Sequence, residues 1–339
     1  MELQSLQIAW FVLYGVLLIG YAILDGFDLG VGALSLFAKD ERERGLHMDA
    51  IAPVWDGNEV WLLAAGGSLF AAFPPVYATV FSGFYIAFFL LLAALIFRAV
   101  SFEFRNQVDS PRWRRAWDWA FGLGSLLPPI LFGVAVGNVL RGLPIDARGE
   151  FTGTFLGLLN PYAIGVGVLV LAMFLTHGAL YLAIKTEGDL HDRMIRWGGR
   201  AWIAWAALWV AMTLASFFQA PARFAPGHPL FWVFLAGAVG ALAAIPVLLG
   251  AGRLLAAFLA SAGAILSQTA VALVGLFPVL VPSSLGKEFD LTAYADSSSA
   301  PTLTVMLVFA GLGMPVVIGY TAWIYRVFRG KVSHGGGYH

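Results

Sequence analysis

Four carboxylates lie inside stretches that are otherwise apolar. Asp25 and Asp28 occur in Leu24-Asp25-Gly26-Phe27-Asp28-Leu29-Gly30, and Asp56 and Glu59 in Val54-Trp55-Asp56-Gly57-Asn58-Glu59-Val60-Trp61. Each pair is spaced i, i+3, so its members share a helix face. A carboxylate within a membrane costs several kcal/mol and persists mainly where it lines a polar path or a site. Arg98 is the nearest candidate cation. Desolvation and like-charge repulsion both oppose ionising all four acids together. Carboxyls in that state can pass protons, hold a cation, or pair with Arg98 and helix ends. Transport or ion binding accounts better for so costly a cluster than static pairing, and the residues alone leave proton conduction and cation binding level.

Other residue types narrow the chemistry. There are no cysteines, which excludes disulfides, thiolate metal sites, cysteine-ligated clusters and cysteine nucleophiles. Of six histidines only His177 falls within an apolar run. It could ligate haem, but a hydrogen-bonded histidine near a helix end is the simpler expectation, and Met173 one turn earlier reads as core. Arg112-Trp113-Arg114-Arg115-Ala116-Trp117-Asp118-Trp119 combines basic and aromatic residues as interface anchors do. Net charge is zero, and no basic stripe suggests nucleic acid.

The elements that must carry these residues are membrane helices. Hydrophobic residues make up 60% of the 339 and charged residues 12%, about half the charged share of an average soluble domain. Nine runs approach the ~20 apolar residues that a crossing needs. They fall near 7–37, 49–73, 77–100, 113–140, 160–184, 197–219, 230–250, 254–280 and 302–328, in a single integral membrane domain spanning 1–339. Met1–Gln7 lacks Lys and Arg, so the first run is expected as a retained span, not a cleaved leader. With nine crossings, sixteen of the 20 basic residues gather on the side of the C-terminus. Arg141, Arg148, Arg223 and Lys287 remain on the other. Because cytoplasmic loops are enriched in Lys and Arg, the expected topology is N-out, C-in. At about 1.5 Å rise per residue, Asp28 and Asp25 lie about 14 and 18 Å from the inner end of the first helix. Asp56 and Glu59 lie about 10 and 15 Å into the second, so all four acids are expected in one band of the inner half.

The ordered motifs resemble subunit II of cytochrome bd-type quinol oxidases. Those that carry the resemblance are Leu24–Gly30, Ile51-Ala52-Pro53 with Trp55–Asn58 and Val60-Trp61, and Phe81–Tyr85. They continue with Phe97-Arg98, Phe102–Arg105, Arg112-Trp113 with Trp117–Trp119, and Gly137-Asn138. Leu159–Pro161, Phe277-Pro278 with Pro282–Ser284, and Tyr320–Trp323 complete the series. They span nearly the whole chain; each is weak alone and specific in combination. The resemblance implies an all-α polytopic fold of nine helices, as two four-helix bundles plus one peripheral helix, in a bacterial inner membrane. It implies a heterodimer with a subunit I that carries haems b558, b595 and d and the quinol site. This chain would bind no haem and no metal and would be inactive alone. The complex would oxidise quinol at the outer face and reduce dioxygen to water with cytoplasmic protons.

Carried over residue by residue, Asp28 and Asp56 resemble acids on a proton path toward haem d. Asp25, Asn58, Arg98 and Glu103 sit beside them in matching motifs, and Trp61 matches a tryptophan near an oxygen-access channel. Glu59 departs from the pattern, which has glutamine there, and so adds an acid to the proposed path. Asp296 stands one position after the family's aspartate, which leaves it without an assigned role. Some members hold a structural quinone in this subunit, and small single-helix subunits are further candidate partners; the residues decide neither. A proton- or sodium-coupled secondary transporter is the competing class. The acid cluster fits it, but no broken helix with buried acids recurs in the second half, as inverted repeats would provide. A purely structural anchor leaves the acids unexplained.

Overall fold

The computed structural model describes residues 2–220 and 227–332. Arg223, one of the four basic residues assigned to the outer side, lies outside them. Among the described residues eight helices are long and apolar enough to cross a membrane, which makes the chain a predominantly α-helical polytopic membrane protein. In chain order the helices are α1 (Leu3–Leu34), α2 (Glu41–Ile51), α3 (Trp55–Ala72), α4 (Pro74–Gly83), α5 (Tyr85–Phe104) and α6 (Pro111–Arg141). There follow α7 (Phe155–Leu158), α8 (Pro161–Lys185), α9 (Gly188–Gln219), α10 (Pro229–Gly250), α11 (Leu254–Leu276) and α12 (Ala300–Val327). The eight are α1, which continues into a 3-10 turn at Ser35–Phe37, with α5, α6 and α8 to α12. α3 falls outside the set; it holds just 18 residues, and Asp56, Asn58 and Glu59 dilute its apolar character.

Proline and glycine explain where the boundaries depart from expectation. The run 49–73 is two helices, because Pro53 lacks an N–H and ends α2; Ala52–Val54 form a turn before α3. Asp56 therefore lies in the first turn of α3, at the helix end and not about 10 Å inside it. The run 77–100 begins earlier, at Pro74 and Pro75 in the first turn of α4, where a missing N–H costs nothing. It breaks at Phe84 (φ −97°, ψ 18°), beside Gly83, over which Phe151 packs. The run 254–280 stops at Leu276, before Pro278; Val279–Val281 then pairs with Leu291–Thr292 as a small antiparallel β-ribbon. α9 starts at Gly188, well before residue 197, because polar residues continue the helix past the apolar stretch.

The basic segments meet at one end of the molecule. Arg105, just past the end of α5, donates to Asp118 on α6 at 2.7 Å, Arg193 on α9 pairs with Glu43 on α2, and Lys185 on α8 donates to the carbonyls of Phe328 and Gly330 beyond α12. The opposite end is tied by Gln7 to Tyr294 and Ser297, by Ser298 to the Ala71 carbonyl, and by Thr79 to the Gly149 carbonyl. α1 runs through the middle and packs against α3, α6, α8 and α11. Its contact with α8 is backbone on backbone: any Cβ at Gly30 would strike the Phe174 carbonyl, and one at Gly178 would strike Gly30. Small residues permit such close crossings.

Candidate functional site

The close α1–α8 crossing leaves the opposite face of α1 turned toward α3 and α5, and that face carries Asp25 and Asp28. Both are fully buried, as is Arg98. Arg98 arrives from α5 and grips Asp25 with two parallel hydrogen bonds, Nη2 to Oδ1 at 2.6 Å and Nη1 to Oδ2 at 3.1 Å. Bidentate pairing of this kind is the strongest carboxylate contact a side chain offers. Gly124 on α6 makes room for it: a Cβ there would come within 2.5 Å of the Ala94 carbonyl and 3.0 Å of the Arg98 nitrogen. The Trp55 ring centroid lies 5.9 Å from the guanidinium carbon, within cation–π range.

Glu59 on α3 lies 4.0 Å from Arg98 Nη1 with a side chain 21% exposed. It shares the cation but does not displace Asp25. Asn58, one residue earlier, bonds to Asp28: its Nδ2 donates to Asp28 Oδ2 at 2.7 Å and to the Leu24 carbonyl at 3.1 Å. Asp28 Oδ1 is buried and has no hydrogen-bond partner among the described residues. Two acids thus lie within 4.0 Å of one guanidinium, and Asp28 is held on the neighbouring Asn58. Asp25 is neutralised directly, while Asp28 keeps one oxygen free.

Asp25, Asp28, Asn58, Glu59 and Arg98 therefore converge, whereas two expected members do not join them. Asp56 is exposed on the outer stripe of α3, in line with Val60, Leu63, Gly67 and Phe70. Glu103 is exposed near the end of α5. For Asp56 the cause is helical phase: two positions back from Asn58 turn its side chain by about 200° away from the one that meets Asp28. Trp61 is half-buried and lies against Gly20 of α1.

Composition and spacing missed two groups. Tyr325, near the basic end of α12, donates its hydroxyl to Asn58 Oδ1 at 3.0 Å. The motif Tyr320–Trp323 ends two residues short of it, and no local signal singles it out. Arg105, just past α5, and Asp118, two turns into α6, are both buried and paired; opposite charges flanking a short connection were a legible hint. His177 meets the simpler expectation. Its Nδ1 bonds to Ser261 Oγ at 2.6 Å, its Nε2 to the Ile23 carbonyl at 3.1 Å, and Phe258 stacks on the ring at 4.4 Å. Neither nitrogen is turned to an open position. Asp296 accepts from the Thr292 N–H at 2.6 Å, a loop-closing role. Among the described residues no three His, Asp or Glu side chains are arranged to hold a metal ion.

The family model described as cytochrome bd terminal oxidase subunit II matches residues 6–328. The chain is 38% identical over 365 residues to cytochrome bd-I ubiquinol oxidase subunit 2 of Escherichia coli strain K12, with 98% of this chain and 96% of that protein covered. It is 36% identical over 356 residues to cytochrome bd ubiquinol oxidase subunit 2 of Bacillus subtilis strain 168, with 98% of each covered. In fold it is similar to a chain of the bd oxidase from Geobacillus thermodenitrificans. That match has a TM-score of 0.76 at 18% identity and covers 96% of this chain and 98% of that one.

Proposed function

The chain belongs to the cytochrome bd terminal oxidase subunit II family, and from that premise we propose that it is the non-haem subunit of a quinol oxidase complex in a bacterial inner membrane. In this reading α3 is a ninth crossing, giving an N-out, C-in chain whose basic end faces the cytoplasm. The haems of subunit I supply the electron transfer from quinol to dioxygen. This chain stabilises that subunit and delivers cytoplasmic protons toward it.

The observation that carries the proton role is Asp28, a buried carboxyl with one oxygen unpartnered among the described residues and the other held by Asn58. Asp25 and Arg98 form a fixed charge pair that balances the field around it. Asp28 and Glu59 are the groups free to take and release a proton, because no cation is committed to either in the way Arg98 is to Asp25. Asp56 serves as the hand-over group. It stands on an otherwise apolar stripe where Leu63 is 70% and Phe70 60% exposed, and a carboxylate on such a stripe suits a protein partner better than lipid. The same surface, continued by the exposed apolar faces of α5 and α12, is the proposed seat of subunit I. Trp61 and Glu103 are assigned flanking roles in oxygen access and proton entry.

The test is Asp28→Asn and Asp56→Asn in the assembled complex. Each is expected to lower quinol-driven oxygen consumption and proton uptake far more than haem content. Normal turnover and uptake in both variants would end the relay reading.

A further inference from the structure

Asp28 is positioned by a residue from the far end of the chain. The Asn58 carboxamide has two N–H donors, and both are in use, one on Asp28 Oδ2 and one on the Leu24 carbonyl. Its oxygen can only accept, and the group facing it is the Tyr325 hydroxyl at 3.0 Å. The amide therefore has one satisfied orientation. Turned over, it would aim its oxygen at the Leu24 carbonyl, which can only accept, and leave that carbonyl without the donor it now has.

Tyr325 is in turn held by the end of α12. Lys185, on α8, donates to the carbonyls of Phe328 and Gly330, and the Val332 N–H donates to the Lys185 carbonyl. The Tyr325 ring meets Phe27 of α1 edge-on at 6.4 Å. Elsewhere α12 is loosely embedded: Leu303, near its other end, is its one fully buried residue. A helix this exposed is fixed at its two ends, and one of those ends carries the hydroxyl that orients Asn58.

We propose that Tyr325 is a positioning residue for Asp28: its hydroxyl locks the Asn58 carboxamide so that the amide N–H, and not the amide oxygen, faces the carboxyl. Without it Asn58 Oδ1 loses its donor and the amide can rotate, so Asp28 faces a mixture of donor and acceptor. The consequence for turnover rests on the relay reading above; the consequence for the Asp28 carboxyl does not.

The test uses the intact complex and infrared difference spectroscopy, with the carboxyl band assigned as the one that Asp28→Asn removes. Tyr325→Phe is expected to keep full haem content, shift or split that band, and lower kcat about fivefold with KM for quinol unchanged, the effect of one ordinary hydrogen bond. Adding Tyr325→Phe to Asn58→Ala is expected to change nothing further, because the tyrosine acts through the amide. A shifted band with unchanged kcat would leave the positioning role standing and remove the relay. An unshifted band, an additive double variant, or a loss of haem in Tyr325→Phe larger than in Asn58→Ala would each overturn the proposal.

Discussion

Arg98 and Asp25 face each other across the α1–α5 contact with two hydrogen bonds, and neither is exposed. A pair buried this deeply is asymmetric in its energetics. Removing one partner leaves a bare charge at a cost of about 3–5 kcal/mol, whereas replacing both by apolar groups is often neutral. Arg98→Leu is therefore expected to prevent assembly or lower thermal stability by that order. Asp25→Leu combined with Arg98→Leu is expected to recover most of it. The comparison is read from haem content and melting temperature of the purified complex; equal damage in the single and double variants would mean that the charge pair is not the cause.

Gly30 on α1 and Gly240 on α10 represent two kinds of small residue. Gly30→Ala would drive a methyl group into the Phe174 carbonyl, and α1 and α8 would have to part. Gly240 on α10 has nothing within 4 Å of an added Cβ, so Gly240→Ala should be neutral or stabilise by up to about 1 kcal/mol through helix propensity. Yield and thermal stability of the two variants check the contrast, and a harmless Gly30→Ala would show the α1–α8 crossing to be looser than described.

His47 supplies a pH dependence at the basic end. It is fully buried on α2, outside the candidate spans, with Nδ1 bonded to the Glu43 carbonyl and Nε2 without a partner among the described residues. Burial, aided by Arg44, pushes its pKa down to about 3, against about 6.5 in an unfolded chain. A lowered folded value means that the unfolded state binds the proton first as pH falls. Stability is unaffected above about pH 6.5 and declines below it by roughly 1 kcal/mol per pH unit toward pH 3. Melting curves of wild type and His47→Gln across that window should diverge at neutral pH and converge on acidification. Parallel curves would remove His47 as the source.

Visible spectroscopy addresses the division of labour between subunits. The chain expressed alone is expected to show no haem bands, and to co-purify with a haem-bearing membrane partner when expressed with its neighbours. Stoichiometric haem in the isolated chain would contradict this, and His177, with both nitrogens engaged, would not be the ligand to suspect.

The sequence by itself determined the solvent and the outline of the site. Sixty per cent hydrophobic residues with 12% charged leave lipid as the surroundings, because apolar runs of membrane length need no tertiary contact to be recognised. Acids at i, i+3 declared a cost that a functional site explains, and Arg98 was legible as the nearest cation. Asp56 and Glu103 could not be placed in this way. Whether a side chain faces a neighbour or the outer surface depends on helix phase, and Pro53 reset the start of α3. The tie from Tyr325 through Asn58 to Asp28 joins residues 267 and 30 positions apart. Contacts at that separation exist only after α12 has closed against α1 and α3, since no local periodicity encodes which distant helix supplies a single hydroxyl.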